Sequence, residues 1–193
     1  TIDAAVASNK MACAAIYVRF QRQCVDFSCQ LLFSRSKIIP DQLTQPRTEL
    51  FAATLNTHTG ELVKRAYGDN HVGKVKLTDS QVVLHWISNP DKPVKQWVRN
   101  RIVEINRFTE SSDWMFVNSK DMIADIGTRR VTDLNMVNRD SVWINGFEWM
   151  KQDQALFPAK SVKHINLSNE EKSAVQKENI LKYNLQDLTS TQD

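Results

Sequence analysis

Five glycines, five prolines, three cysteines and four histidines are scattered through 193 residues. Glycine and proline this scarce exclude collagen-like and low-complexity chains. Cys13, Cys24 and Cys29 are an odd set without a C-x-x-C pair, which argues against a disulfide scaffold or a zinc site and for a reducing, intracellular setting. No apolar run approaches the roughly 20 residues needed to span a bilayer, and Thr1 is not followed by a signal-peptide pattern. The chain opens inside what reads as a strand, so a fragment of something longer is expected. Lys plus Arg number 25 against 22 for Asp plus Glu, a net charge of +3. That is too mild to require a polyanionic partner, so any such argument rests on where the charges lie.

What is present is core material, 41% hydrophobic residues, in patterns that change along the chain. Residues 11–36 alternate as two strands, with Ala14, Ile16, Val18 and Phe20 on one face of the first, and Val25, Phe27, Cys29, Leu31 and Phe33 on one face of the second. The cysteines read as small apolar strand residues. Pro46 opens a helix that Gly68 closes. Val75, Leu77 and Asp79 share one parity of a short strand, and Ser80 caps the helix after it. A second helix carries Val94, Trp97, Val98, Ile102, Ile105 and Phe108 at steps of three and four. A short strand at Trp114–Val117, a helical stretch from Met122 and a Trp-rich segment at residues 141–150 follow. Strands alternating with helices give an α/β domain over residues 1–150. Residues 151–193 read as a polar tail with one marginal helix begun by the capping box Ser168-x-x-Glu171, docking only through Phe157 on the Trp143–Trp149 segment.

Three acids sit at element ends: Glu49 near a helix start, Asp79 at the end of an apolar strand, and Asp125 near the start of the last short helix. Singly each reads as a helix-terminal or surface acid. Brought together they would repel unless divalent cations neutralised them, and hard carboxylate oxygens suit Mg²⁺ or Mn²⁺.

Their contexts are more telling. SRSKIIP, TQPRTEL, LTDSQVVLHWI, WVRNRIVEI, ADIGTRR and SVWINGFEWM stand in this order, and together they resemble the ribonuclease H domain in the Pol polyprotein of BEL/Pao-type LTR retrotransposons over roughly Ala7 to Met150. The resemblance implies an RNase H-like fold: a five-stranded mixed sheet, its first three strands antiparallel, flanked by helices. It also implies a two-metal endonuclease, with two Mg²⁺ or Mn²⁺ ions when active, that cuts RNA in RNA–DNA hybrids. Reverse transcriptase and integrase would be its neighbours in the polyprotein, the tail leading toward integrase. The setting would be intracellular: cytoplasm, virus-like particle or nucleus. By this resemblance the second, third and fourth acids of the family fall on Glu49, Asp79 and Asp125, as catalytic residues and metal ligands.

The first acid is missing in the ungapped reading. The family's Asp-Ala-Ser falls on Val6-Ala7-Ser8, leaving Asp3 as a weak fourth candidate. An odd offset from residue 6 turns Asp3 to the other face of an extended strand. Nor does Phe116-Val117-Asn118-Ser119 carry the histidine that many ribonucleases H have before the last acid. The resemblance then implies a copy that binds nucleic acid and cuts it poorly. The alternatives are a non-catalytic nucleic-acid or protein interaction module on the same fold, and an integrase core, which the Pro-Arg-x-Glu-Leu helix and the final Asp125 argue against. Lys92, Lys95, Arg99 and Arg101 are the candidate phosphate contacts, with Arg107, Lys74 and Lys76 beside them; a solvated helix face explains them equally well. Trp86 and Trp97 read as core residues.

Overall fold

The computed structural model describes residues 2–8, 11–21, 27–68, 75–128 and 138–180. Six strands form one mixed sheet in the order β3-β2-β1-β4-β5-β6. They are β1 Ile2–Ser8, β2 Met11–Gln21, β3 Phe27–Ile38, β4 Val75–Thr78, β5 Trp114–Val117 and β6 Ala159–Ser161. The first three are antiparallel neighbours, β1–β4 and β4–β5 are parallel, and β6 returns antiparallel along β5. The count expected from sequence was five. The sixth strand is a three-residue piece of the tail, too short to show an alternation of its own.

Both faces of the sheet are covered, which is why Ala12 to Tyr17 are all buried and not only every second residue. On one face lies helix α1 (Gln45–Tyr67). Its contact with β2 is made of small side chains, Ala12 and Ala14 against Ala52, so the helix comes close to the strand. The hydroxyls of Thr54, Thr57 and Thr59 donate to the carbonyls four residues back, which lets these polar residues be buried without loss. Helices α2 (Gln81–Ser88) and α3 (Gln96–Asn106) complete this layer around Leu50, Val83, Trp86, Val98, Ile102 and Trp114. The helical pattern read from Val94 begins two residues late, because Val94 forms an isolated antiparallel bridge to Asn179.

The opposite face is closed by a 3₁₀ turn at Ile123–Thr128, the short helix α4 (Val142–Asn145) and a turn at Glu148–Lys151. Tyr17 anchors this side, its ring edge-on to Trp143 and its hydroxyl donating to the Trp143 carbonyl at 2.7 Å. Cys13 and Cys29 are buried thiols in the same cluster. Burial raises both, Cys29 to about 11, in keeping with an apolar packing role. Cys24 lies outside the described residues.

The tail is more than an appendage. Phe157 packs edge-on against Trp149 at 5.0 Å, as expected, but the chain continues into β6 and then helix α5 (Asn169–Glu178). Val175 is buried in the helical core cluster, with Val162, Ile165 and Leu167 packed against it. The segment thus adds to the sheet edge and to the helical core. Its few apolar residues are spread thinly because each fills a notch in a core built by other elements. Residues 181–193 lie outside the description.

Candidate active site

The close fit of α1 on β2 sets the position of Glu49. The helix starts at Gln45 after the extended Thr44, with proline in its first turn, so Glu49 is the fifth helical residue and lies past the first turn where the sequence placed it. β4 ends at Thr78, and the half-buried Asp79 follows in the step to α2. Ser80 caps that helix, accepting from the Val83 amide at 3.2 Å, and its hydroxyl donates to Glu49 Oε2 at 2.5 Å. One residue thus starts α2 and ties it to α1. Asp125 sits in the 3₁₀ turn of the opposite layer. Gly127 brings that turn against β2: a Cβ there would stand 2.5 Å from Cys13 Sγ and 2.8 Å from the Trp143 ring, so a side chain at this position would force these neighbours to shift.

Each carboxylate takes a hydroxyl donor. Gln45 Nε2 also donates to Glu49, at 2.9 Å. Ser119 Oγ donates to Asp79 Oδ2 at 2.9 Å, and Thr128 Oγ1 to Asp125 Oδ1 at 3.2 Å. Burial raises the Glu49 carboxyl above its ordinary range; the Ser80 and Gln45 donors oppose this, and the charges of Asp79 and Glu171 add to it. Burial likewise raises Asp79, against the Ser119 hydrogen bond and its own backbone amide, with Asp125 adding repulsion. The three acids therefore feel one another's charge, in the order Glu49–Asp79–Asp125. Among the described residues, however, no three His, Cys, Asp or Glu side chains are gathered closely enough to hold a metal ion.

The raised Glu49 carboxyl has a pH signature. Its folded value lies above its unfolded value, near 4.5, so its contribution to stability is full below that pH and is lost as pH rises through the folded value. Glu49→Gln removes the titration. Its melting temperature is expected to match the parent chain at pH 4 and to exceed it by a growing margin up to pH 7. A parent chain that gains on the variant over that interval would refute the assignment.

The strand register settles where the first-acid candidates stand. β1 pairs with β4 in parallel, Ala5 opposite Thr78. Val6 and Asp79 each follow one residue beyond this last pair. Asp3 is the register partner of Lys76, about 10 Å back along the strand at 3.3 Å per residue and of the other parity.

Residues 4–80 match the family model of the Pao retrotransposon-like RNaseH-like domain. The match covers less than half of the chain. No curated protein and no solved structure matches the chain. The matched Pao-like stretch runs from β1 to the cap of α2 and contains Val6, Glu49 and Asp79, while Asp125 lies beyond it. The group this family implies, Mg²⁺ or Mn²⁺, suits these acids in kind, because carboxylate oxygens are the hard ligands such ions take.

The basic candidates separate into two groups. Lys95 and Arg99 are exposed and one turn apart, and Lys92 on the preceding loop donates to the His85 ring at 3.1 Å. Arg101 is half-buried, its guanidinium 3.9 Å from the centre of the Trp97 ring, and burial lowers its pKa. Trp97 is thus a platform at the edge of the core, whereas Trp86 is buried as expected. Trp97, Arg101, Lys37 and Phe51 line a pocket of about 350 Å³ beside the start of α1, a contact region that sequence spacing did not reveal. Lys76 is corrected: it is only 1% exposed and its ammonium donates to Asn56 Oδ1 at 2.9 Å, so it is closed to phosphate. Lys74 lies outside the described residues. No described helix is long and apolar enough to cross a membrane.

Proposed function

We propose that this chain is the RNase H-like domain of a retrotransposon Pol polyprotein, descended from a metal-dependent endonuclease of RNA–DNA hybrids, and that this copy binds hybrids but cuts them poorly. The observation that carries the reading is the register of β1 on β4, Ala5 opposite Thr78, with Val6 and Asp79 each one residue beyond it. Two-ion hydrolysis needs a carboxylate between ions about 4 Å apart, and valine supplies neither charge nor ligand. Glu49, Asp79 and Asp125 are proposed as the remaining acids of that set. Binding is assigned to Lys92, Lys95, Arg99 and Arg101, with the Trp97–Arg101 platform and Lys37 alongside. Aromatic rings and cations along a cleft suit a nucleic-acid backbone whatever its sequence.

The test is a hybrid-cleavage and binding assay in Mg²⁺ or Mn²⁺, comparing the unchanged chain with Val6→Asp. Salt-sensitive binding with near-background cleavage is expected of the unchanged chain, and cleavage above background of the variant. Robust cutting by the unchanged chain would overturn the loss of activity. Absence of hybrid binding at low salt would overturn the partner and favour a protein-interaction module.

A further inference from the structure

The segment that carries α5 ends against the basic residues, in a contact that a polyanion would compete for. Glu178, the last residue of α5, is buried. Its carboxylate accepts from Nε and Nη2 of Arg47 at 2.9 and 2.8 Å. This two-pronged pairing is the one that an arginine makes with phosphate. Arg47 lies two residues before Glu49, and its guanidinium is 5.4 Å from the centre of the Trp97 ring that Arg101 also covers.

The backbone holds the contact shut. Lys95 N–H donates to the Glu178 carbonyl at 2.8 Å, Ile180 N–H donates to the Pro93 carbonyl at 3.0 Å, and Asn179 bridges to Val94. The segment is therefore tied to the loop that bears Lys92 and Lys95. At its other end Glu171 adds negative charge near Glu49. Yet α5 is held thinly, with Val175 and Glu178 as its buried residues. An element with so little buried surface opens at lower cost than the core beneath it.

We propose that α5 and residues 179–180 are an autoinhibitory strap, in which the Glu178 carboxylate occupies the phosphate-binding fork of Arg47 until an RNA–DNA hybrid displaces it. The proposal rests on the hybrid-binding reading above. A strap closed nine-tenths of the time lowers apparent affinity about tenfold, since binding is scaled by the fraction of molecules that are open.

The experiment measures the Kd of a fluorescently labelled RNA–DNA hybrid for the full chain, Glu178→Gln and Glu170→Gln, and hydrogen exchange at residues 169–180 with and without hybrid. Glu178→Gln is expected to tighten binding about tenfold. Glu170→Gln removes the same charge from an exposed position and is expected to change Kd less than about twofold, because exposed charges are screened. Hybrid is expected to speed exchange across α5. Equal affinities in all three chains, equal tightening in both variants, or slower exchange on binding would overturn the strap and leave the hybrid reading intact. If none of the chains binds hybrid, the reading falls and the strap falls with it.

Discussion

Val6→Asp is expected to raise hybrid cleavage by about 100-fold in Mg²⁺ or Mn²⁺, since a restored ion set contributes several kcal/mol to the barrier. The register pairs Ala5 with Thr78, one residue before Val6 and Asp79, so on the proposed reading a carboxylate at position 6 would join the acids already linked by mutual repulsion. The same substitution therefore carries an opposite effect on stability. Without divalent ions a fourth like charge should lower the melting temperature. With ions at about 100 times their Kd, binding returns about 2.7 kcal/mol to the variant, roughly 5–10 °C for a chain of this size. The unchanged chain should shift far less. Thermal melts with and without Mg²⁺, beside the cleavage assay, check both halves. A variant that neither cuts nor gains stability from Mg²⁺ would show that position 6 is not the vacant place in the set.

Ending the chain after Pro158 is expected to lower the melting temperature by about 10–20 °C. The cut removes β6 from the edge of β5 and takes Val162, Ile165, Leu167 and Val175 out of the helical core. Four apolar side chains at about 1.5 kcal/mol each come to on the order of 6 kcal/mol, and 1 kcal/mol corresponds to roughly 2–4 °C here. Ending after Leu167 instead removes α5 alone, with Val175 its one buried apolar residue, and should cost only a few degrees. Calorimetry of the two truncations separates these cases. A melt unchanged by the longer cut would restore the sequence-based boundary at residue 150.

The contrast between these residues explains what could be read in advance. Glu49 and Asp79 stand beside strong local signals, a proline-led helix start and an apolar strand followed by a capping serine, so their element-end positions were legible. Their hydroxyl partners were only partly so. Ser80 shows itself as a helix cap, whereas Ser119 meets Asp79 across 40 residues. Arg47 and Glu178 meet across 131 residues, and nothing local marks either as the other's partner. Lys76 misleads because β4 lies between β1 and β5 in a sheet covered on both faces, where polar and apolar positions are buried alike. Gly127 went unremarked, since its role is the near approach of Cys13 and Trp143 and not a turn. β6 is three residues long, below the length at which a period of two can be recognised.

The parallel pairing of β1 with β4 joins Ile2 to Val75, while β1, β2 and β3 pair with their neighbours in sequence. A hairpin meander of this kind closes short loops and can form early, whereas the β1–β4 closure must wait for α1 to be in place. On the proposed reading Val6 and Asp79 are brought near each other only at that later step, and Glu49 and Asp125 come from separate layers. The electrostatic strain among the carboxylates is thus absent from the early structure and arises as the native arrangement closes. Substitutions that relieve it should act on how fast the native chain opens, lengthening its lifetime, and leave the rate of folding nearly as it was.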